Sequence, residues 1–196
     1  MKRIAPGLHH WAAPHPGWEP DPEPESPADW PEEVCSVAFE APDAVVFIDP
    51  LVPESLWDDL DRLVAGRSVV VLTTMRFHGR SRDAVIARYG GAKVAYDAPM
   101  PAGVEARPVV GFDETMYWLP GPRALVPGDR LIGDGSGGMR LCPQSWLGYI
   151  KPVVGVDGLR VALAPLVELP VEHLLLSHGA PVVGGGAEAL ARALVA

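Results

Sequence analysis

The sequence predicts a layered sandwich of the α/β or α+β class, and three observations support this prediction. Strand-like and helix-like segments alternate along the chain, which is typical of sheets covered by helices. The 196 residues suffice for one sizeable hydrophobic core and are too few for two independent domains. Glycine and proline number 21 and 22, so turns are frequent and the elements between them are short. We therefore expect a single domain that spans residues 1–196.

The individual elements follow from local patterns of apolar residues and from the turn residues between them. Ala41-Pro42-Asp43 is a hairpin turn signal between two β-rich runs. Residues 68–73 form a nearly continuous apolar run, which is typical of a strand covered on both faces of its sheet. Ser81 and Asp157 are the expected N-caps of the helices that they open, because their side chains can accept backbone hydrogen bonds. In order, the predicted elements are strands 34–40 and 44–48, helix 53–63, strand 68–73, helix 81–89, short strands 93–95, 104–110, 115–119 and 124–126, helix 157–166, strand 171–176 and helix 186–195.

The glycine-rich run Gly133–Gly148 is predicted to be a surface loop that could contact substrate. It lacks the strand-to-helix context and the lysine of a phosphate-binding loop. Cys142 within it has no evident base partner, and Ser136 lies one residue short of a Gly-x-Ser-x-Gly elbow. We therefore expect neither a phosphate cradle nor a cysteine or serine nucleophile in this run.

Most of the net negative charge comes from one proline-rich segment, residues 16–33, called the acidic segment below. It contains seven acidic residues, six prolines and no lysine or arginine, and the rest of the chain is nearly neutral. Proline denies helix and ladder hydrogen bonds, so we predict an extended loop or flap. Trp18 and Trp30 bracket the segment, whereas disordered linkers are poor in aromatic residues. We therefore expect the segment to dock on the protein body, with a solvated arm as the alternative.

The overall composition excludes several classes of function. The net charge of −9 disfavours a nucleic-acid partner, because phosphate neutralisation needs a basic face. No apolar run approaches the roughly 20 residues of a membrane span, and the N-terminal residues do not resemble a secretory signal. Cys35 and Cys142 do not form a disulfide framework or a Cys-x-x-Cys pair, so we expect free thiols in a reducing cytoplasm. The expected partner is a small-molecule substrate or ligand.

Three polar residues follow predicted strands, where functional groups of open sheets collect. His78 follows the strand 68–73, Asp129 follows Ala-Leu-Val-Pro-Gly, and His178 follows Glu-His-Leu-Leu-Leu-Ser. Two imidazoles and a carboxylate match the ligand chemistry of zinc, iron or manganese. Histidine or aspartate at such positions can equally be a cap or turn residue, so the residue types alone leave both interpretations open.

Four segments, in order, resemble the metallo-β-lactamase fold superfamily. VVFIDP (45–50) resembles its hydrophobic strand that ends in Asp, and residues 69–81 lie where it carries the motif Thr-His-x-His-x-Asp-His. Residues 116–133 are similar to its paired strands that lead to Gly-Asp, and residues 174–186 resemble its strand that ends in Gly-His-Gly. The N-terminal strand also fits, so the resemblance covers nearly all of the chain apart from the acidic segment. It implies a four-layer αββα sandwich, with two facing sheets and helices outside.

The metal motif of that family is incomplete here. When the motif is placed on the shared Thr73, its first two histidines fall on Thr74 and Arg76. His78 then falls on the motif's aspartate, or on its last histidine after a slip of one residue. No histidine lies between His78 and His173, so the family's middle histidine is also absent. One of the family's two metal positions has therefore lost all three of its histidines.

The resemblance implies that the other metal position survives. His78, Asp129 and His178 would hold one metal, either zinc or iron or manganese. Asp49 would orient a ligand imidazole or take a proton in catalysis. Arg76 would take the place of the second cation and grip an anionic substrate. The alternatives for Arg76 are repulsion of the remaining metal or an ion pair with Asp129.

The resemblance thus implies a metallo-β-lactamase-like hydrolase of unknown substrate, in which a single metal activates a water. The alternative is a metal-free, non-catalytic relative that binds a small ligand or a protein partner through the same cleft. The acidic segment lies where family members often carry a flap, so His15 could reach the metal region; a loop histidine in solvent is the alternative. His173 lies inside a predicted strand and is expected to be structural.

Overall fold

Two large β-sheets face each other in the computed structural model, which describes residues 1–150 and 154–195. The first sheet consists of β1 (Lys2–Ala5), β2 (Leu8–Pro14), β3 (Glu33–Glu40), β4 (Val45–Ile48), β5 (Val69–Leu72) and β6 (Ala92–Lys93). The strands lie in sequence order, antiparallel from β1 to β4 and parallel from β4 to β6. The predicted turn Ala41-Pro42-Asp43 joins β3 to β4, with Val37 opposite Ile48.

The second sheet consists of β7 (Glu105–Val109), β8 (Glu114–Leu119), β9 (Ala124–Val126), β12 (His173–Leu174) and β13 (Val182–Val183). Its strand order is β13-β12-β9-β8-β7, and β12 runs parallel to β9. A separate two-stranded hairpin, β10 (Leu131–Gly133) and β11 (Met139–Leu141), lies between β9 and β12 in the chain. Because β9 and β12 are parallel, their carboxyl ends meet at one edge of the second sheet.

Helices cover the outer faces of both sheets. They are α1 (Trp57–Val64), α2 (Arg82–Tyr89), α3 (Val156–Leu163) and α4 (Gly186–Val195). Leu60 of α1 and Val85 of α2 belong to one buried cluster with Phe47 of β4. Leu159 of α3 and Leu190 of α4 belong to another, against the second sheet. Within residues 1–150 and 154–195, no helix has the length and apolar character that crossing a bilayer requires.

A third buried cluster fills the space between the sheets. Phe39, Val46 and Ile48 of the first sheet meet Tyr117 and Leu119 of the second. Alternate residues of a strand point to opposite faces, so the apolar run of β4 serves both this inner layer and the outer helices. The predicted four-layer αββα sandwich is therefore confirmed.

One of the two predictions about helix starts is confirmed in position, and the other is wrong. Ser81 is the N-cap of α2 as predicted, but its side chain makes no cap bond, and its Oγ instead accepts the N–H of Val52 at 2.9 Å. This contact ties the chain after β4 to the start of α2. The N-cap of α3 is Gly155, so Asp157 lies in the first turn of the helix. In that position its carboxylate still complements the positive end of the helix dipole.

The prediction of a surface loop over Gly133–Gly148 is also wrong. This run contains β11 and a 3-10 turn, Gln144–Leu147, and it buries several large side chains. The buried residues are Met139, Leu141, Cys142, Trp146 and Leu147. The Asp134 carboxylate accepts the N–H groups of Ser136 and Gly138, which stabilises the turn between β10 and β11. The high glycine content belongs to this turn and does not extend to the apolar residues that follow.

The two sheets are joined by backbone hydrogen bonds just after β12. Val34 and His178 form an isolated antiparallel bridge. The Cys35 N–H donates to the Ser177 carbonyl at 2.8 Å, and the Gly133 N–H donates to the His178 carbonyl at 2.8 Å. The segment after β12 is therefore bonded to β3 on one side and to β10 on the other.

Gly179 should be required at this junction. Its φ is 97°, and a Cβ there would lie 2.9 Å from the Gly133 Cα. We expect Gly179→Ala to lower the free energy of unfolding by about 1–3 kcal/mol through backbone strain, with steric overlap adding to it. Gly121→Ala is the control, because a Cβ at Gly121 meets nothing within 4 Å. Urea denaturation measures both, and equal stabilities of the two variants would contradict the prediction.

Candidate metal centre

Two histidines and an aspartate converge where the sheets are joined. His78 lies after β5, Asp129 lies between β9 and β10, and His178 lies after β12. The Nε2 atoms of His78 and His178 lie 3.1 and 3.2 Å from Oδ1 of Asp129. One potential ligand atom from each residue lies within 4.8 Å of the other two. The structure thus brings together the three residues that the sequence singled out as metal ligands.

The three ligand atoms lie close together inside the protein. Oδ1 of Asp129 is shielded from solvent and lies within 3.2 Å of both imidazole nitrogens. In a tetrahedral zinc site with ligand distances of about 2.0–2.1 Å, neighbouring ligand atoms lie roughly 3.3 Å apart. The observed separations of 3.1 and 3.2 Å agree with this spacing. The donor set therefore fits a zinc-sized cation.

The tautomer of His78 is set by the two residues behind it. Its Nδ1 lies 2.8 Å from Oδ2 of Asp49 and 2.9 Å from Oγ1 of Thr74. The Thr74 hydroxyl and N–H both donate to the Asp49 carboxylate, at 2.5 and 2.8 Å. Since the carboxylate can only accept, Nδ1–H of His78 donates to Asp49, and Nε2 is the ring nitrogen that faces Asp129 and would bind a metal in place of its proton.

Asp49 acts from behind His78 and not from the open side of the site. It follows β4 with a left-handed φ of 48°, and it is buried. Its side chain does not line the pocket above the triad. Of the two roles expected for Asp49, the geometry favours orientation of the imidazole, so Asp49 is a positioning residue.

Asp129 is supported by a buried glutamate that the sequence analysis missed. The Glu114 carboxylate in β8 accepts the N–H groups of Gly128, Asp129 and Arg130 at 3.0, 2.8 and 3.0 Å. A Cβ at Gly128 would lie 2.7 Å from the Thr74 hydroxyl and 2.9 Å from this carboxylate, so the turn needs glycine. No sequence signal identifies Glu114, because a single glutamate is usually exposed to solvent.

Glu114 shares its buried site with the guanidinium of Arg130. Their side chains are fully shielded from solvent, with Nε of Arg130 at 3.8 Å from Oε2 of Glu114. Arg130 also donates to the Trp146 carbonyl at 3.3 Å and to the Tyr149 hydroxyl. Burial raises the pKa of Glu114 to about 7, although Arg130 and the backbone N–H groups lower it. Above that pH the carboxylate is charged, and Arg130 neutralises it.

His178 is oriented by aromatic rings on its open sides. Trp30 and Trp146 lie edge-on to it, with ring centroids 5.8 and 5.4 Å away. Its Nδ1 has no hydrogen-bond partner among the residues that the structure describes. Burial lowers the pKa of His178, and the Asp129 carboxylate only partly offsets this effect. His178 is therefore neutral at pH 7, which is the form that ligates metals.

The electrostatics of the triad centre on Asp129. Burial raises the pKa of this carboxyl, but the imidazoles of His78 and His178 outweigh burial and hold the pKa well below its usual range. Burial lowers the pKa of His78, but the carboxylates of Asp129 and Asp49 raise it to about 9. Two carboxylates thus stabilise one positive charge at His78, and a metal cation at the same place would satisfy the same demand.

The triad lies on the floor of a pocket of about 410 Å³. Its walls are mainly aromatic, and Phe77 and Tyr149 meet edge-on with centroids 5.3 Å apart. Apart from the triad and Arg80, the lining residues are His15, Pro27, Trp30, Val34, Phe77, Ser145, Trp146, Gly148 and Tyr149. Charged groups are thus confined to the floor, beneath apolar walls.

The acidic segment packs on the protein beside this pocket. The Trp18 indole donates to the Trp30 carbonyl at 2.9 Å, and the Trp146 indole donates to the Ser26 carbonyl at 3.2 Å. Trp30 packs against the buried cluster of the second sheet, and all seven acidic residues of the segment are exposed. The structure agrees with the expectation that the segment docks on the body, and it is not a solvated arm.

Arg76 does not reach the triad. Its Nε lies 3.4 Å from the Asp113 carboxylate, and its guanidinium stacks over Phe77 at 4.7 Å from the ring centroid. It lines a second depression, outside the pocket above the triad. The structure therefore shows neither the expected ion pair with Asp129 nor a place for Arg76 in this pocket.

The arginine on the pocket floor is Arg80, which the sequence analysis did not identify. Its NH1 donates to the carbonyls of Cys35 at 2.6 Å and Asp49 at 3.0 Å, and its NH2 donates to the Ser177 hydroxyl at 2.8 Å. The only sequence signal was its position two residues after His78. The motif alignment assigns no role to that position.

The remaining histidines near the site have distinct environments. His15 lines the pocket and lies edge-on to Trp30, with centroids 5.1 Å apart. Its Nδ1 accepts the N–H of Gly17 at 3.1 Å, so it is not the free loop histidine of the alternative interpretation. His173 in β12 accepts the N–H of Gly184 at 3.2 Å, which is the structural role expected for it.

Neither a family model nor a curated protein matches the sequence. Solved structures nevertheless share its fold. VMB-1 has a TM-score of 0.66 at 10% identity, over 99% of this chain and 94% of that one. DIM-1 metallo-β-lactamase has a TM-score of 0.62 at 13% identity, over 99% and 95% of the chains.

A metallo-β-lactamase family protein from Thermus thermophilus has a TM-score of 0.56 at 13% identity, over 98% of this chain and 80% of that one. These likenesses extend over nearly the whole chain. They therefore show a metallo-β-lactamase fold and confirm, at the level of the fold, the resemblance found in the sequence.

The support beneath Asp129 can be tested with Glu114→Gln. The amide keeps the size of the side chain but leaves Arg130 buried without its counter-ion. We expect the free energy of unfolding at pH 8 to fall by about 3–5 kcal/mol. Glu105→Gln is the control, because it breaks only an exposed ion pair with Arg107 and should cost less than about 1 kcal/mol. Urea denaturation compares the two, and a similar loss in both would show that the buried pair is not required.

Proposed function

We propose that the chain is a metal-dependent hydrolase that holds a single metal ion, best matched by zinc, on His78, Asp129 and His178. The observation that carries this proposal is the convergence of three shielded ligand atoms, with both imidazole nitrogens at 3.1–3.2 Å from the Asp129 oxygen. The likeness to DIM-1 metallo-β-lactamase in fold supports a hydrolytic role.

The ligand set favours a catalytic site over a purely structural one. Two imidazoles and one carboxylate supply three protein ligands, and catalytic zinc sites commonly keep a fourth position open for water or substrate. The site faces a pocket and is not sealed inside the core. Iron and manganese accept the same donor types, and zinc is preferred because the spacing of the donors suits a tetrahedral ion.

The residues of the chain prepare this site for hydrolysis. A zinc ion bound here would supply Lewis acidity and an activated water near neutral pH. Asp49 accepts a hydrogen bond from Nδ1–H of His78 and thereby leaves Nε2 as the ring nitrogen that can ligate. Trp30 and Trp146 cover the His178 ring and limit access of bulk water, which strengthens electrostatic interactions at the floor.

A single metal is proposed because the residues at the other family position are not ligands. The Thr74 hydroxyl is already bonded to Asp49 and lies beside His78. Arg76 is paired with Asp113 outside the pocket. In the described part of the chain, the triad is the one group of three or more His, Cys, Asp or Glu side chains suited to hold a metal.

Metal analysis of protein purified without a histidine tag tests the proposal directly. We expect a zinc stoichiometry near one, which Asp129→Ala and His178→Ala should abolish because each removes a ligand. His173→Ala is the matched control, since His173 is also a buried histidine of this segment but its ring bonds only to the N–H of Gly184. Hydrolysis of p-nitrophenyl esters, a lactone and a chromogenic β-lactam should require the metal and both ligands.

The proposal fails if the wild-type protein binds no zinc, iron or manganese when each is supplied. It also fails if the stoichiometry is unchanged in both ligand variants. Thermal unfolding of each variant separates loss of the metal from loss of the fold. A metal-loaded protein inactive on all three substrate classes would contradict the hydrolytic part and leave the metal site standing.

The role of Asp49 can be tested with Asp49→Asn. The amide keeps the size of the side chain but removes the charge that fixes the Nδ1 proton of His78. We expect zinc affinity to fall by about 10- to 100-fold, as when other carboxylates behind ligand histidines are removed. Asp43→Asn is the control, because Asp43 is exposed and accepts only the N–H of Ala102. Competition with a zinc-binding dye measures both, and equal affinities would show that Asp49 does not position the ligand.

A further inference from the structure

The pocket above the triad has features that specify more than a metal site. Its walls are built from the rings of Trp30, Phe77, Trp146 and Tyr149, which are suited to an apolar or aromatic body. Its volume of about 410 Å³ is near the lower end of the ~300–1,000 Å³ typical of small-molecule sites. A compact molecule with one ring fits such a space, whereas a long polymer does not.

Arg80 introduces a positive charge that has no carboxylate in direct contact with it. Its three hydrogen-bond acceptors are two backbone carbonyls and one hydroxyl, all of them neutral. No carboxylate of the described residues lies within 4.0 Å of the guanidinium, and its Nε has no partner. A shielded guanidinium normally has an anionic partner, because a charge removed from water is costly when it is unpaired.

The charges on the floor do not cancel once a divalent metal is bound. Asp49 and Asp129 are the acidic residues of the site and together offset the metal, while both imidazoles are neutral as ligands. Arg80 then leaves one net positive charge beneath apolar walls. In a region of low dielectric constant such a charge attracts an anion strongly.

We propose that the substrate of this site is a small carboxylate with an aromatic or branched apolar body. Its carboxylate lies on the Arg80 side of the floor, and its body packs between the rings of Trp30, Trp146 and Tyr149. Arg80 is thus the specificity-determining residue that Arg76 was expected to be. The inference rests on the proposed function, because the bound metal gives the floor its positive charge.

Three probes separate charge from shape in the zinc-loaded protein. Phenylacetate carries both a ring and a carboxylate, phenylacetamide has the same shape without charge, and acetate has the charge without the ring. We expect phenylacetate to bind at least about tenfold more tightly than either of the others, since it alone satisfies Arg80 and the aromatic walls. Isothermal titration calorimetry measures all three dissociation constants.

Variants of Arg80 assign the charge preference to that residue. Arg80→Gln should weaken phenylacetate binding at least about tenfold and leave phenylacetamide unchanged, whereas Arg80→Lys, which keeps the charge but not the geometry of the guanidinium, should retain part of the preference. Arg82→Gln is the matched control, because Arg82 pairs only with the exposed Asp83 and does not line the pocket. If Arg80→Gln does not fold, the three-probe comparison on the wild type still decides the inference.

The outcomes distinguish this inference from the proposed function. Equal binding of phenylacetate and phenylacetamide to the wild type would overturn it, as would a charge preference that survives Arg80→Gln. Either result with a zinc stoichiometry near one would leave the metal site intact. Conversely, a protein that binds no metal would overturn the proposed function and, with it, the positive floor on which this inference rests.

Discussion

The buried carboxylate of Glu114 is the interaction on which the geometry of the site depends. It gathers three consecutive backbone N–H groups around Asp129 and thereby fixes the turn that delivers this residue to the pocket floor. Arg130 stabilises the arrangement, because it keeps the buried carboxylate from being an isolated charge. Without this pair, the turn after β9 would lose the hydrogen bonds that hold Asp129 between the two imidazoles.

Charged side chains lie within the triad and beside it. Asp49 lies behind His78, Asp129 lies between the two histidines, and Arg80 bonds to the backbone carbonyl of Asp49. Asp49 and His78 follow the paired strands β4 and β5, and Asp129 and His178 follow the paired strands β9 and β12. Hydrogen bonds between β3 and the segment after β12 join the two sheets beside these residues. The candidate metal ligands therefore lie where the two sheets are joined.

The sequence predicts the architecture well because the apolar patterns are local. Helix 186–195 and strand 124–126 have the predicted bounds, and the three ligand candidates converge in space. What the sequence could not show depends on contacts between distant residues. Nothing in the residues around Glu114 indicates that it is buried. Arg80 and Arg76 are the same residue type four positions apart, and only the fold shows that Arg80 lines the pocket and Arg76 does not. The hairpin of β10 and β11 was missed because glycines at its turn outweighed the apolar residues that follow.

The docked acidic segment has a consequence for the kinetics of binding. It carries seven exposed carboxylates, and its residues Pro27 and Trp30 line the pocket that we propose binds an anion, so these carboxylates would repel an approaching anion before the floor holds it. Repulsion at the surface is screened over about 10 Å at 0.1 M salt, whereas the shielded floor is screened far less. Added salt should therefore accelerate the entry of a carboxylate while changing its residence time little. The segment would thus act as an electrostatic barrier to anions that becomes lower as the salt concentration rises.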